Sequence, residues 1–403
     1  MAPRTADVIV VGAGISGLSI ALHLKESGVQ KVTVMERHSV GSGQSGRAAG
    51  ILRALVNNTA VSTMLLSSLR FFRTFRERYG EALPINECGY LLIDKLQREE
   101  AMNGSLCRAA AAGCQATRID QSQAGELQPG LRRSDDDIYA FEPAAIFLDA
   151  MLAAQTFRKV VSRLGVELEE GCEVHSLLFN GTRLEGVETN HGRFLANKVV
   201  IATSVLGAEQ LKKVGIEVPV FPRRTEMAFF SVFPESSYRS RCILSDARTL
   251  LYLRPEGSAQ MFVGWREGDR PWSPADAVGL DPENYRQTAH HQSLAVMAER
   301  LTETLPFMAN GFVHRTYACV YDYTPDGMPV LDCAKSVPGL YFALGFSGGG
   351  FSLSPWVGAS MARFVVSGLK PPEMELLRLG RFQEGALLSW SNASSSDTAG
   401  ANA

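Results

Sequence analysis

Gly12, Gly14 and Gly17 stand at G-x-G-x-x-G spacing directly after an apolar run at residues 7–11. Leu18, Ile20, Ala21 and Leu24 then recur with helical period, so the glycines fall in a strand-to-helix turn. Gly12 permits the tight turn, Gly14 lets backbone approach a diphosphate, and Gly17 lets helix and strand pack closely. The helix start at Ile15 and Ser16 offers free N–H groups and a positive dipole end to phosphate. Glu36 ends the next strand-like run, twenty-four residues after Gly12, where an acid accepts both ribose hydroxyls; Arg37 follows it. The chemistry expected is dinucleotide binding, against a glycine turn that only packs.

The elements that must position this turn form a β-α-β opening: strand 7–11, helix 16–27 and strand 31–35. Helical periodicity continues at 62–79, 97–114, 145–164, 283–305 and 355–367, with strands expected at 89–94, several over 220–265, 316–321 and 340–344. Residues 166–203 alternate like paired strands, with turns at Asn180-Gly181 and His191-Gly192. The expected fold is α/β: a Rossmann-like dinucleotide domain from residues 1–83, 139–212 and 315–390, with an inserted antiparallel β-sheet domain from 84–138 and 213–314. Low-complexity residues 391–403 read as a disordered tail.

Composition bounds the rest. With 403 residues, 45% hydrophobic, 20% charged and a formal charge of -2, the chain has a sizeable core and no basic stripe. Nucleic acid and anionic membranes are therefore not expected partners. No apolar run reaches the roughly 18 residues of a membrane span. A strand beginning near the N-terminus, with no secretion or lipidation signal, points to a cytoplasmic location. Seven cysteines without a C-x-x-C pair fit a reduced compartment, and no metal site is expected.

Four further segments occur in an order that resembles the D-amino-acid oxidase superfamily of FAD enzymes. They are Gly41-Ser-Gly-Gln-Ser-Gly-Arg-Ala-Ala-Gly-Ile-Leu-Arg53, Lys198-Val-Val-Ile-Ala-Thr203, Thr324-Pro-Asp-Gly-Met-Pro329 and Leu344-Gly-Phe-Ser-Gly-Gly-Gly-Phe-Ser352. The resemblance implies FAD of the glutathione-reductase type (GR2), and contacts from Gly43, Ser45, Arg47, Ala48, Ala49, Gly50, Val174, Ala202, Thr203, Gly345, Gly348, Gly349, Gly350, Phe351 and Ser352. Within the superfamily, Ala318-Cys-Val-Tyr-Asp-Tyr-Thr-Pro-Asp326 is similar to the sarcosine oxidase and dimethylglycine dehydrogenase branch. Tyr321 stands where α-amino-acid oxidases carry a carboxylate-gripping arginine, which favours secondary or tertiary amines.

Cys319, seven residues before Asp326, matches the cysteine that forms a thioether to flavin in that branch; the competing reading is a core cysteine. Arg53 matches an arginine that binds the substrate carboxylate through its planar fork. Tyr252 and Arg266 lie on strands that the resemblance places against the flavin, Arg266 replacing a histidine. Phe262 and Ser352 replace two lysines, one for oxygen activation and one for the carboxylate. The implied activity is oxidation of the C–N bond of a small secondary or tertiary amine or N-substituted amino acid, with oxygen or another acceptor, by a monomer or homo-oligomer. An amino-acid oxidase or dehydrogenase, or a biosynthetic oxidase of a cyclic amine, is the alternative.

Overall fold

The structure is a computed structural model that describes residues 3–232, 240–266 and 279–388; the expected tail at 391–403 lies outside them. A six-stranded sheet runs in the order Glu167–Glu170, Val32–Glu36, Val8–Val11, Val199–Ile201, Leu340–Leu344, Val330–Cys333. The first five strands are parallel and the last is antiparallel. Val-Ile-Val-Val at 8–11 is apolar at every position because both faces are covered. Val8 and Val10 face a core shared with the helices Ile15–Glu26, Ala150–Arg163 and Gly350–Ser367. Ile9 and Val11 face the opposite core, closed by Leu211 and by a four-stranded sheet carrying Leu184, Val187 and Phe194.

The final helix begins at Gly350, five residues before the expected start, and holds Pro355 inside it. Proline cannot donate to the Phe351 carbonyl. The Ser354 hydroxyl donates to that oxygen at 2.9 Å instead. Phe351 stacks on Phe72 of the helix Thr59–Tyr79, with ring centroids 5.8 Å apart.

An eight-stranded sheet follows the order Phe312–Tyr323, Phe221–Ser231, Gln260–Trp265, Leu251–Glu256, Ile243–Asp246, Tyr90–Lys95, Asp137–Glu142, Thr117–Ile119. All neighbours are antiparallel except Ile243–Asp246 with Tyr90–Lys95. Two of these strands, Asp137–Glu142 and Phe312–Tyr323, straddle the sequence positions 139 and 315. Alternation sends Leu91, Ala228, Leu244, Leu253 and Val263 to a core closed by Met297 and Leu301 of the helix His291–Thr304. The other face carries Tyr90, Ser245, Tyr252, Arg254, Phe262, Tyr317 and Cys319, and Ala49 and Tyr321 pack against part of it. No described helix is long and apolar enough to cross a membrane.

Candidate active site

Gly12 holds φ +105°, and a Cβ there would lie 2.5 Å from the Ala202 carbonyl oxygen. A Cβ on Gly17 would lie 2.0 Å from the Gly12 carbonyl oxygen, so helix and turn touch backbone to backbone. The Ile15 amide, at the helix start, donates to the Ser45 hydroxyl at 2.9 Å. Glu36 accepts from the amides of Ala13 and His38, both at 3.0 Å, which fixes its carboxylate at the strand end.

These groups open onto a cavity of about 880 Å³. Gly12, Gly14, Ile15, Ser16, Glu36, Arg37, Gly43, Ser45, Arg47, Ala48, Val174, Ala202, Thr203, Gly348, Gly350, Phe351 and Tyr321 all line it. That volume is at the upper end of cofactor sites. Three glycines without Cβ, a helix N-terminus and two arginines form a cradle that fits a dinucleotide. Of the other expected contacts, Gly17 and Gly50 act through packing, Gly50 with φ +68° against the Leu148 carbonyl. The Gly345 amide donates to Asp322 at 2.9 Å, and Gly349 precedes the final helix as its cap. The T-P-D-G motif is structural: Asp326 binds the fully buried Arg381 at 2.7 and 2.9 Å.

Cross-strand register builds the adjoining wall. Tyr317, Met227, Gly264, Tyr252, Ser245 and Leu92 are successive partners across six strands. Tyr252 lies over Gly264, where any Cβ would sit 2.2 Å from its ring, so the glycine gives the tyrosine its place. Arg266 donates to the Ser245 hydroxyl at 3.1 Å. The Arg53 guanidinium lies 4.8 Å from the centroid of the Tyr90 ring and donates to the Leu55 carbonyl. Ser245 pairs with Leu92 and Ile243 with Tyr90, so the two arginines end over neighbouring positions of one sheet face. Burial raises the Tyr252, Tyr317 and Tyr321 phenols, which stay neutral.

Cys319 is fully buried beside Met227, Phe229 and Phe262, with Ala49, Tyr252, Tyr317 and Tyr321 packed around them. Burial pushes its thiol up to about 12, with the Arg47 charge opposing. Cys319 does not line the cavity, but its neighbours Val320 and Tyr321 do. Ser352, expected at the substrate, is instead turned into the helix: it is buried and donates to the Gly349 carbonyl at 3.0 Å. Ser352 and Ala49 do not line the cavity.

Sequence reasoning missed three groups. Arg254 is 5% exposed, donates to the Ala49 carbonyl at 2.6 Å and lies 4.9 Å from the Phe262 ring centroid. It thus sets a cation beside Phe262, already paired with Glu256. Strand parity with Tyr252 is the signal that could have found it. Glu142 is fully buried and accepts from the Ala54 amide at 2.8 and 3.0 Å and from the Leu55 amide at 2.8 Å, which holds the chain just beyond Arg53. Burial raises its carboxyl, opposed by those amides. Residues Pro282, Glu283, Tyr285 and Gln287 also line the cavity; a helix from 283 was expected, but the helix begins at His291.

Comparison with known proteins agrees with this architecture. The chain is 22% identical over 400 residues to sarcosine oxidase subunit beta of Arthrobacter sp, covering 96% of this chain and 93% of that protein. It is 23% identical to 4-methylaminobutanoate oxidase (formaldehyde-forming) of Paenarthrobacter nicotinovorans, over 94% of this chain and 46% of that protein. The chain thus spans about half the length of several curated relatives it matches. The crystal structure of L-proline dehydrogenase from P. horikoshii shares the fold, with TM-score 0.85 at 24% identity, over 95% of this chain and 99% of that one. A model of the FAD dependent oxidoreductase family matches residues 7–364, and the chain belongs to that family.

Proposed function

We propose that the chain oxidises the C–N bond of a small N-substituted amino acid or other secondary or tertiary amine to an imine. The observation that carries this reading is that Arg53, over Tyr90, and Arg266, bonded to Ser245, stand at neighbouring positions of the sheet face that also bears Tyr252 and Tyr321, of which Tyr321 lines the cavity. FAD bound in the cavity supplies the acceptor of a hydride, at flavin N5. Gly12, Gly14 and the amides after them take the diphosphate, and Glu36 takes the ribose hydroxyls. Arg53 holds a substrate carboxylate and Arg266 adds positive charge. The two cations disfavour the ammonium form of the amine, so the reactive neutral form is bound. Tyr252, Phe262 and Tyr317 exclude water and offer no base, so the amine's own lone pair assists loss of hydride.

Tyr321 lies against the cavity, packed on Gly348, which supports amines over primary α-amino acids. Cys319 is the candidate covalent anchor, two strand positions from Tyr321 and beside Ala49 of the cofactor loop. Phe262 in place of a lysine leaves the acceptor as oxygen or a partner carrier, with the Arg254 cation 4.9 Å from the Phe262 ring centroid.

The test is Arg53→Met. KM for an N-methyl amino acid should rise at least tenfold, while an N-methyl amine lacking the carboxylate is little changed. Equal effects on both would remove Arg53 from the carboxylate site.

A further inference from the structure

Residues 282–287 precede the helix His291–Thr304 and run along the cofactor cavity as irregular chain. Each end is tied to an arginine that lines the cavity. Glu283 forms an ion pair with Arg37, next to the ribose-binding Glu36, and Gln287 Oε1 accepts from Arg47 at 3.4 Å. The Gln287 carbonyl accepts from the Ala318 amide at 2.8 Å, so the segment adds to the strand that carries Cys319.

The anchor behind it is Arg224. Its Nε and Nη2 donate to the Arg286 carbonyl at 3.1 and 2.9 Å, and Nη2 also reaches the Thr288 carbonyl at 2.6 Å. The remaining nitrogen pairs with Glu226, whose side chain is 7% exposed. The Arg37–Glu283 pair alone would contribute little, since both side chains are partly exposed. Charge-assisted bonds to two carbonyls, with a ladder bond beyond them, make the segment a fixed wall.

We infer that Pro282–Gln287 is a clasp of the cofactor site, by which the inserted sheet domain retains FAD. Glu283 holds Arg37 at the ribose end of the cradle and Gln287 holds Arg47 further along it, so that both charges face the bound dinucleotide. Tyr285 closes the wall between them. A carboxylate at 283 facing a dianion is tolerated because Arg37 neutralises it.

The test uses the full chain with Cys319→Ser, so that retention is noncovalent however Cys319 behaves. FAD affinity and release are followed by recovery of flavin fluorescence on dilution. Glu283→Ala with Gln287→Ala, both at exposed side chains, should speed release several-fold, and Arg224→Met at least tenfold. Glu283→Ala should weaken FAD more than FMN, because FMN lacks the adenosine half that the Glu36 end serves. Release and affinity within twofold of the parent in the Glu283→Ala/Gln287→Ala protein would overturn the inference, whether or not Arg224→Met folds. Activity plays no part in the readout, so failure of the amine reading would leave this result standing.

Discussion

Attachment of flavin to Cys319 should be steeply pH-dependent, and the structure sets the size of the effect. Only the thiolate forms a thioether. Burial pushes the Cys319 thiol up to about 12, and the Arg47 charge opposes that rise without cancelling it. At pH 8 the thiolate fraction is therefore ~10⁻⁴, and it grows tenfold per pH unit. Apoprotein mixed with FAD in air, where oxygen takes the two electrons released as the C–S bond replaces a C–H bond, should gain acid-stable flavin ~100-fold faster at pH 9 than at pH 7. Arg47→Met, which removes the opposing charge, should slow the reaction throughout the range. Samples taken over time, precipitated in acid and weighed as intact protein give the rate. A rate independent of pH would refute the link between burial and attachment. Complete release of flavin in acid at every pH would leave Cys319 as a packing residue.

Other expectations follow from single contacts. Gly12→Ala sets a side chain at φ +105° with its Cβ 2.5 Å from the Ala202 oxygen; a cost of about 2 kcal/mol or more and loss of FAD binding are expected, measured by denaturant unfolding and flavin content. Glu142→Ala strips three hydrogen bonds from the buried Ala54 and Leu55 amides; about 3 kcal/mol should be lost, and KM for a carboxylated amine should rise because the chain after Arg53 is freed. Asp322 is held at a raised value of about 6 by burial, against hydrogen bonds from backbone amides. Its folded form binds the proton more tightly than the unfolded form, so its contribution to stability falls as pH rises from about 4 to about 6, by ~3 kcal/mol. The stability difference between wild type and Asp322→Asn should therefore change across that window, and a flat difference would show the carboxyl to be unperturbed.

Much of the cofactor half was legible because its signals are local. The run at 8–11 is apolar at each position, and the turn glycines are forced by backbone contacts within a few residues or with one neighbouring strand. The helix expected from 283 failed for a tertiary reason. Its carbonyls at Arg286 and Thr288 are taken by Arg224, sixty-odd residues away, and local helical preference is overridden. The final helix was expected over 355–367. The Ser354 hydroxyl lets it start at Gly350 and tolerate the proline inside. The substrate wall was only partly legible. Tyr252 and Arg266 were expected there, yet the nearness of Ser245, which Arg266 bonds, to Tyr90, which Arg53 covers, depends on a parallel pairing of Ile243–Asp246 with Tyr90–Lys95, which no local pattern encodes. Ser352 was assigned by motif position, and its rotation toward Gly349 is a property of the helix start.

Anaerobic mixing of the FAD-loaded protein with N-methyl and cyclic secondary amino acids tests the central claim most directly. Bleaching of the visible flavin band by at least one of them, much faster than by the matching primary amino acid, is the expected result. A protein that binds FAD in this cavity, yet is reduced by no secondary or tertiary amine, would contradict it.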